Sequence, residues 1–300
     1  MARVVKQFAR RAIGPAARTA RTVLWNRVER LIRNHPSNGW NVVVHAARER
    51  RHEPTPLTAR AELVELLSAL HPITTADPLI RLGPAADGGY LVPDCLDDIT
   101  ACFSPGVDTV SGFELDCAER GIDVYLADGS VEAPPETHPR FSFMKRHLGA
   151  VTTDQTITIG DWIEHSLGDR PGDLVLQMDI EGAEWEVLPT MPPTLLQRFR
   201  VIVIELHHLD DLHLASTFRH MAPVVRTLLQ THACVHIHPN NCLPSVTIDG
   251  IELPQVAEFT FVRHDRAEAT GHARQFPHPL DVDNTTWRPT MVLPASLRRT

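Results

Sequence analysis

The chain has 300 residues, 43% of them apolar and a formal charge of −8, which suits one large α/β domain or two small ones with a real core. The charge is uneven: residues 1–52 hold 12 of the 29 Lys and Arg but only two of the 37 acids, Glu29 and Glu49, so this head is +10 and the rest is −18. An acidic body argues against a nucleic-acid partner, because phosphate contacts need a positive face.

Residues 1–35 read as one or two basic helices broken at Gly14-Pro15, with Val4, Phe8, Ile13, Val23, Leu24, Val28 and Leu31 as a rough apolar stripe among arginines. Three readings stay open for this segment: peripheral contact with an anionic membrane, an organelle-targeting leader, or a solvated or partner-packed extension. A linker with Pro36, Gly39, Pro54 and Pro56 follows. The expected organisation is a basic helical extension and linker over residues 1–52, an α/β domain over 53–266, and a Pro- and His-rich tail over 267–300 that wraps the domain.

Leu63, Leu66, Leu67 and Leu70 share one face of a helix over residues 58–70, which His71-Pro72 ends. Strand and helix then alternate. A strand at 99–103 leads through a turn at 104–106 into a helix at 109–120, closed by Gly121. A strand at 122–127 ends at Asp128, and a third spans 141–144. A helix at 160–167 precedes the strand at 174–178. The run 200–206, a helix at 214–230 and strands at 233–238 and 258–263 complete the series. This alternation implies right-handed crossovers and a parallel sheet. The last two strands, joined without a helix, imply an antiparallel hairpin at one edge.

The five cysteines are odd in number, irregularly spaced and without a CxxC, which fits a reduced, cytoplasmic protein better than a disulfide scaffold or zinc knuckle. No apolar run is long enough for a transmembrane helix, and no apolar segment of a secretory signal follows the start.

The most informative stretch is LVLQMDIEGAEWEVL, residues 174–188. A buried strand runs into Asp179, Glu181 and Glu184 around the small pair Gly182-Ala183, and Trp185, Val187 and Leu188 then open a helix. Ligands in open α/β sheets bind beyond the carboxyl ends of the strands, so Asp179 lies where chemistry is expected. Glu205 and His207 end the next strand, and His236 and His238 end the one after. Residues two apart on a strand face the same side, so each pair shares a pocket-facing side. This group can hold a divalent metal, through Asp179, Glu205 and His207, or can provide a general base with its orienting acid. With seventeen histidines in the chain, a chance arrangement also stays open.

At the other side of the same edge, Gly106 allows a tight turn after the first strand, Asp108 can cap the following helix, and Asp128 stands where an acid accepts ribose hydroxyls. The stretch SPGVDTVSG lacks the GxGxxG cradle of a dinucleotide site. Asp87 and Tyr90, around Gly88-Gly89, and Asn240-Asn241 are candidate acceptor contacts; both stretches also suit plain turns.

DIEGAEWEVL resembles the signature of FkbM-type methyltransferases. The resemblance continues through Gly88-Gly89-Tyr90, Ser104-Pro105-Gly106-Val107, Phe113-Glu114 and Thr158-Ile159-Gly160-Asp161-Trp162, and covers about residues 81–262. It implies a Rossmann-like class I methyltransferase fold: a seven-stranded, mostly parallel sheet with helices on both faces and an antiparallel edge hairpin. It implies S-adenosyl-L-methionine as cofactor, with Glu114 reaching the methionine amino group. It also implies O-methylation of a hydroxyl on a sugar, glycan or secondary metabolite. The competing readings are an NAD- or nucleotide-sugar-dependent enzyme on the same topology, and a catalytically silent module that docks on a membrane or partner.

Overall fold

The computed structural model describes residues 56–107 and 109–299. The basic stripe of residues 1–35, the linker and the boundary at residue 52 lie outside the described residues, as does Asp108.

Helix α1 (Arg60–Ala69) buries Leu63, Leu66 and Leu67, as their spacing predicts. An antiparallel hairpin follows, β1 (Leu79–Leu82) and β2 (Tyr90–Pro93). The chain then builds the main sheet: β3 (Ile99–Pro105), α2 (Gly112–Glu119), β4 (Asp123–Ala127), β5 (Phe141–Met144), α3 (Ile159–Leu167), β6 (Asp173–Met178), α4 (Glu184–Val187), β7 (Phe199–His207), α5 (Ala215–Thr231), β8 (His232–Pro239) and β9 (Val256–Arg263). The seven strands lie in the order β8-β9-β7-β6-β3-β4-β5. From β7 to β5 all neighbours are parallel, whereas β9 runs antiparallel to both β7 and β8. The fold is therefore the Rossmann-like α/β architecture expected from the alternation, with the antiparallel pair at one edge.

Both faces of this sheet are covered, which is why its strands read as near-continuous apolar runs. In β7, Ile202, Ile204 and Leu206 pack with Phe103, Trp162 and Leu176 on one face. Val201 and Val203 pack with Cys102, Phe113 and Val175 on the other. Thr158 caps α3 by accepting the Asp161 N–H at 3.1 Å, and the helix buries Ile159, Trp162 and Ile163.

Two helices differ from expectation. The one predicted over residues 109–120 begins only at Gly112. The one predicted after Asp179 lasts a single turn and passes into a 3-10 turn at Leu188–Thr190. Pro189 lacks the N–H needed to continue it.

The C-terminal segment packs on the domain. Gly271–His272 pair with Ile73–Thr74, and residues 278–290 then cross the end of the sheet where β7 and β8 finish. No helix among the described residues is long and apolar enough to cross a membrane.

Candidate active site

The polar residues of the sheet face away from the helix α5 side, in register across three strands. Glu205 of β7 lies opposite Glu258 of β9, and Glu258 lies opposite His238 of β8. One step back, Val203 stands opposite Thr260, and Thr260 opposite His236. Asp179 follows directly after β6, the parallel neighbour of β7. These side chains thus reach one edge because their strands end together and alternate with period two.

His207 is the centre of the first group. Its Nε2 lies 3.6 Å from Glu181 Oε2, 3.8 Å from Glu205 Oε1 and 4.0 Å from Asp179 Oδ1, while its Nδ1 lies 3.4 Å from Glu184 Oε1. Glu184 is fully buried, and the Ile180 N–H donates to its Oε1 at 2.9 Å. The Trp185 indole N–H donates to the His207 carbonyl at 2.7 Å and ties α4 to the end of β7. Burial raises Asp179 to about 7, an effect that His207 offsets only in part. Burial also pushes Glu205 well above the usual carboxylate range, with Asp179 adding to it. For His207, burial alone would lower the pKa, but contact with Glu184 and the charges of Glu184, Asp179 and Glu205 outweigh it and raise it to about 10. Carboxylates on both ring nitrogens favour the charged form of the imidazole.

His236 and His238 do share a face, as predicted, but the structure does not place them in the His207 group. Both turn to Asp281 of the C-terminal segment: His236 Nε2 is 2.9 Å from its Oδ1 and His238 Nδ1 is 3.5 Å from its Oδ2. All three side chains are buried. Burial would raise Asp281, but contact with His236 and His238 holds it far below the usual carboxylate range. His238 is raised because Asp281 and Glu258 outweigh its burial.

Between the two groups lie Asp87, Glu258 and two asparagines. Asn284 Nδ2 donates to Asp87 Oδ1 at 2.8 Å and to Glu258 Oε1 at 2.7 Å. Asn240 Nδ2 donates to Glu205 Oε1 at 3.0 Å. Burial lifts Glu258 to about 7, and His238 offsets part of that. Asn241 is committed elsewhere: it accepts the Thr285 N–H and donates to the Thr285 carbonyl, each at 2.9 Å. Its amide therefore fastens the C-terminal segment.

At the β3–β4 side, Gly106 adopts φ +88°, and a Cβ there would lie 1.7 Å from the Asp179 carbonyl oxygen. This glycine is required by the close approach of the two strand ends. Asp128, 6% exposed, accepts the Ser130 N–H at 2.7 Å and the Ser130 hydroxyl at 2.6 Å. Glu114 is 4% exposed. The Ser104 hydroxyl donates to it at 2.5 Å, and burial raises its pKa. Ser104 is also 2.7 Å from Gln177 Oε1, and Gln177 Nε2 donates to the buried Tyr90 hydroxyl at 3.3 Å. Tyr90 therefore joins the β3–β4 side of the edge through Gln177.

Glu258, Asp281 and Asn284 are site residues that the sequence does not single out, whereas Glu181 and Glu184 stand out beside Asp179 but without a role of their own. Glu258 carried a usable signal, since an acid inside the apolar run VAEFTFVR has to face something polar. Asp281 and Asn284 carried none, because the segment around them has no periodicity.

The family model described as Methyltransferase FkbM domain matches residues 117–229. That span contains Asp128, Asp179, Glu205 and His207, and leaves out Glu114, His236, His238 and Asp281. No curated protein matches the chain.

Proposed function

We propose that this FkbM methyltransferase domain uses S-adenosylmethionine to methylate a hydroxyl of a small molecule or glycan. The observation that carries this reading is the charge of the sheet edge. Asp179, Glu181, Glu184 and Glu205 surround His207, and Asp87 and Glu258 adjoin them. A dinucleotide or nucleotide sugar would bring phosphates against these carboxylates, with Gly106 already occupied by the Asp179 backbone. A sulfonium cofactor is cationic and phosphate-free, so the same carboxylates favour it.

The residues fit such a cofactor. Asp128 stands at the end of β4 with its carboxylate fixed by Ser130, suited to ribose hydroxyls. Glu114 is a buried acid, and an ammonium group beside it would restore its charge. When bound, S-adenosylmethionine supplies an electrophilic methyl group. The chain supplies position, and a proton acceptor near neutral pH in the cluster around Asp179. The C-terminal segment, through Asn284 and Asp281, forms the acceptor side.

Calorimetry with S-adenosylhomocysteine tests the proposal. Binding is expected in the parent and weaker in Asp128→Ala by about 1–3 kcal/mol, the cost of removing one partner of a charged hydrogen bond. Equal affinity in both would remove Asp128 from the ribose role. Binding of NAD or a nucleotide sugar in place of S-adenosylhomocysteine would replace the reading altogether.

A further inference from the structure

We infer that Asp179, Glu181, Glu205 and His207 form a binding site for one divalent cation of the manganese or zinc kind, with Glu184 orienting the imidazole. The inference rests on the reading of this edge as the acceptor side. It goes further in naming the ion class, a fourth ligand and the orienting carboxylate.

Spacing is the first argument. His207 Nε2 stands 3.6, 3.8 and 4.0 Å from three carboxylate oxygens. N–H···O hydrogen bonds fall at about 2.7–3.2 Å, so none of these contacts is one. Ligand atoms about 2.0–2.2 Å from a common ion stand about 3.0–3.5 Å from each other, so each of these three distances is within about 1 Å of ligand spacing. One ligand atom each from Asp179, Glu205 and His207 already lies within 4.8 Å of the others.

The second argument is what these atoms lack. Asp179 Oδ1, Glu184 Oε2 and His207 Nδ1 are buried without a hydrogen-bond partner, although buried polar groups as a rule have one. Glu184 has a side chain with 0% exposure, and its Oε1, 3.4 Å from Nδ1, stands where a carboxylate fixes a metal-binding imidazole from behind.

A neighbouring trio supplies the contrast. Asp87, Glu205 and Glu258 are equally close-set, but Asn240 and Asn284 donate amide N–H groups into them. In the His207 group Asn240 reaches Glu205 alone, and Asp179 Oδ1 has no donor. One imidazole with three carboxylates suits manganese, zinc or iron better than magnesium, which prefers oxygen throughout. Solvent reaches the group through Glu181, 52% exposed, and Asp179, 30% exposed. An acceptor oxygen bound to the ion would lose its proton to water more readily.

The test uses full-length, metal-stripped protein titrated with manganese chloride, read by calorimetry and by Mn(II) paramagnetic resonance. Zinc is used as competitor, and S-adenosylhomocysteine affinity is measured in parallel. About one Mn(II) per chain is expected. Glu205→Gln and Asp179→Asn should each weaken it by about 100-fold or more, and Glu184→Gln by about 10–100-fold. Should the buried variants fail to fold, Glu181→Gln at the exposed ligand carries the test, with an expected loss of about 10-fold. Absence of manganese and zinc binding in the folded parent would overturn the inference, as would equal binding by parent and variants. If the ion binds as predicted but S-adenosylhomocysteine does not, the cation site stands and the methyltransferase reading falls.

Discussion

The two ends of the same sheet treat charge in opposite ways. At the end where β6 and β7 begin, Asp173 accepts Arg200 Nε at 2.7 Å and Arg263 Nη1 at 2.7 Å. Arg200 also donates to the carbonyls of Cys95 and Asp97, and Arg263 to Asp265. Cations and acids alternate there, and both acids are held below their ordinary pKa: Asp173 by Arg263 and Arg200 against the pull of burial, Asp265 foremost by Arg263. At the end where β6 and β7 finish, four carboxylates surround His207, and buried atoms lack hydrogen bonds. One network closes on itself and holds the strands. The other leaves Asp179 Oδ1, Glu184 Oε2 and His207 Nδ1 without a hydrogen bond, and folding carries that cost.

The largest expected effect breaks the closed network. Asp173→Ala leaves Arg200, 6% exposed at its side chain, without its carboxylate, and should cost about 3–5 kcal/mol of stability. Thermal or urea unfolding reads the loss. Asp179→Asn, at the open end, removes a carboxylate among carboxylates and should change stability by less than about 1 kcal/mol. The contrast between the ends collapses if the two substitutions cost the same.

A second prediction sharpens the same comparison through pH. His232, at the start of β8, is fully buried, with its Nε2 2.8 Å from the Phe199 carbonyl. Burial lowers its pKa to about 4, the Phe199 hydrogen bond opposing only in part. Between about 6.5 and 4 the unfolded chain therefore binds more protons than the folded one. The contribution is complete above about pH 6.5 and is lost as pH falls toward 4, by about 3 kcal/mol at most. Urea unfolding across that window should show the fall in the parent and a flatter curve in His232→Gln. Identical curves would mean that His232 does not set the acid limit.

What the sequence made legible follows the same division. The strands at 174–178 and 200–206 were readable because a doubly covered parallel strand has to be apolar throughout. Their shared edge then placed Asp179, Glu205 and His207 together by direction and period alone. The matching face of His236 and His238 was legible for the same reason. Their partner was not, because Asp281 comes from a segment whose position depends on tertiary contacts. Glu184 was visible as an acid at that end but its inward direction was not, since a one-turn helix has no periodicity to show which side is inward. Gly106 was legible as a special turn, but its cause, the Asp179 carbonyl, exists only once two strands are side by side.

The smallest predicted effect concerns how the C-terminal segment is fastened. Asn241, 1% exposed, pairs with both backbone groups of Thr285 at 2.9 Å. Thr285 follows Asn284, whose amide bridges Asp87 and Glu258. Losing one paired amide should cost only about 1–2 kcal/mol, because water can enter as the segment lifts. The loss should be local, since the sheet beneath is held by its own ladder. Asn241→Ala is therefore expected to leave most of the unfolding curve in place while the Thr285 N–H exchanges with solvent faster. Amide exchange separates this from an acceptor contact: an unchanged Thr285 rate would release Asn241 from the fastening role and return it to the set of acceptor-binding candidates.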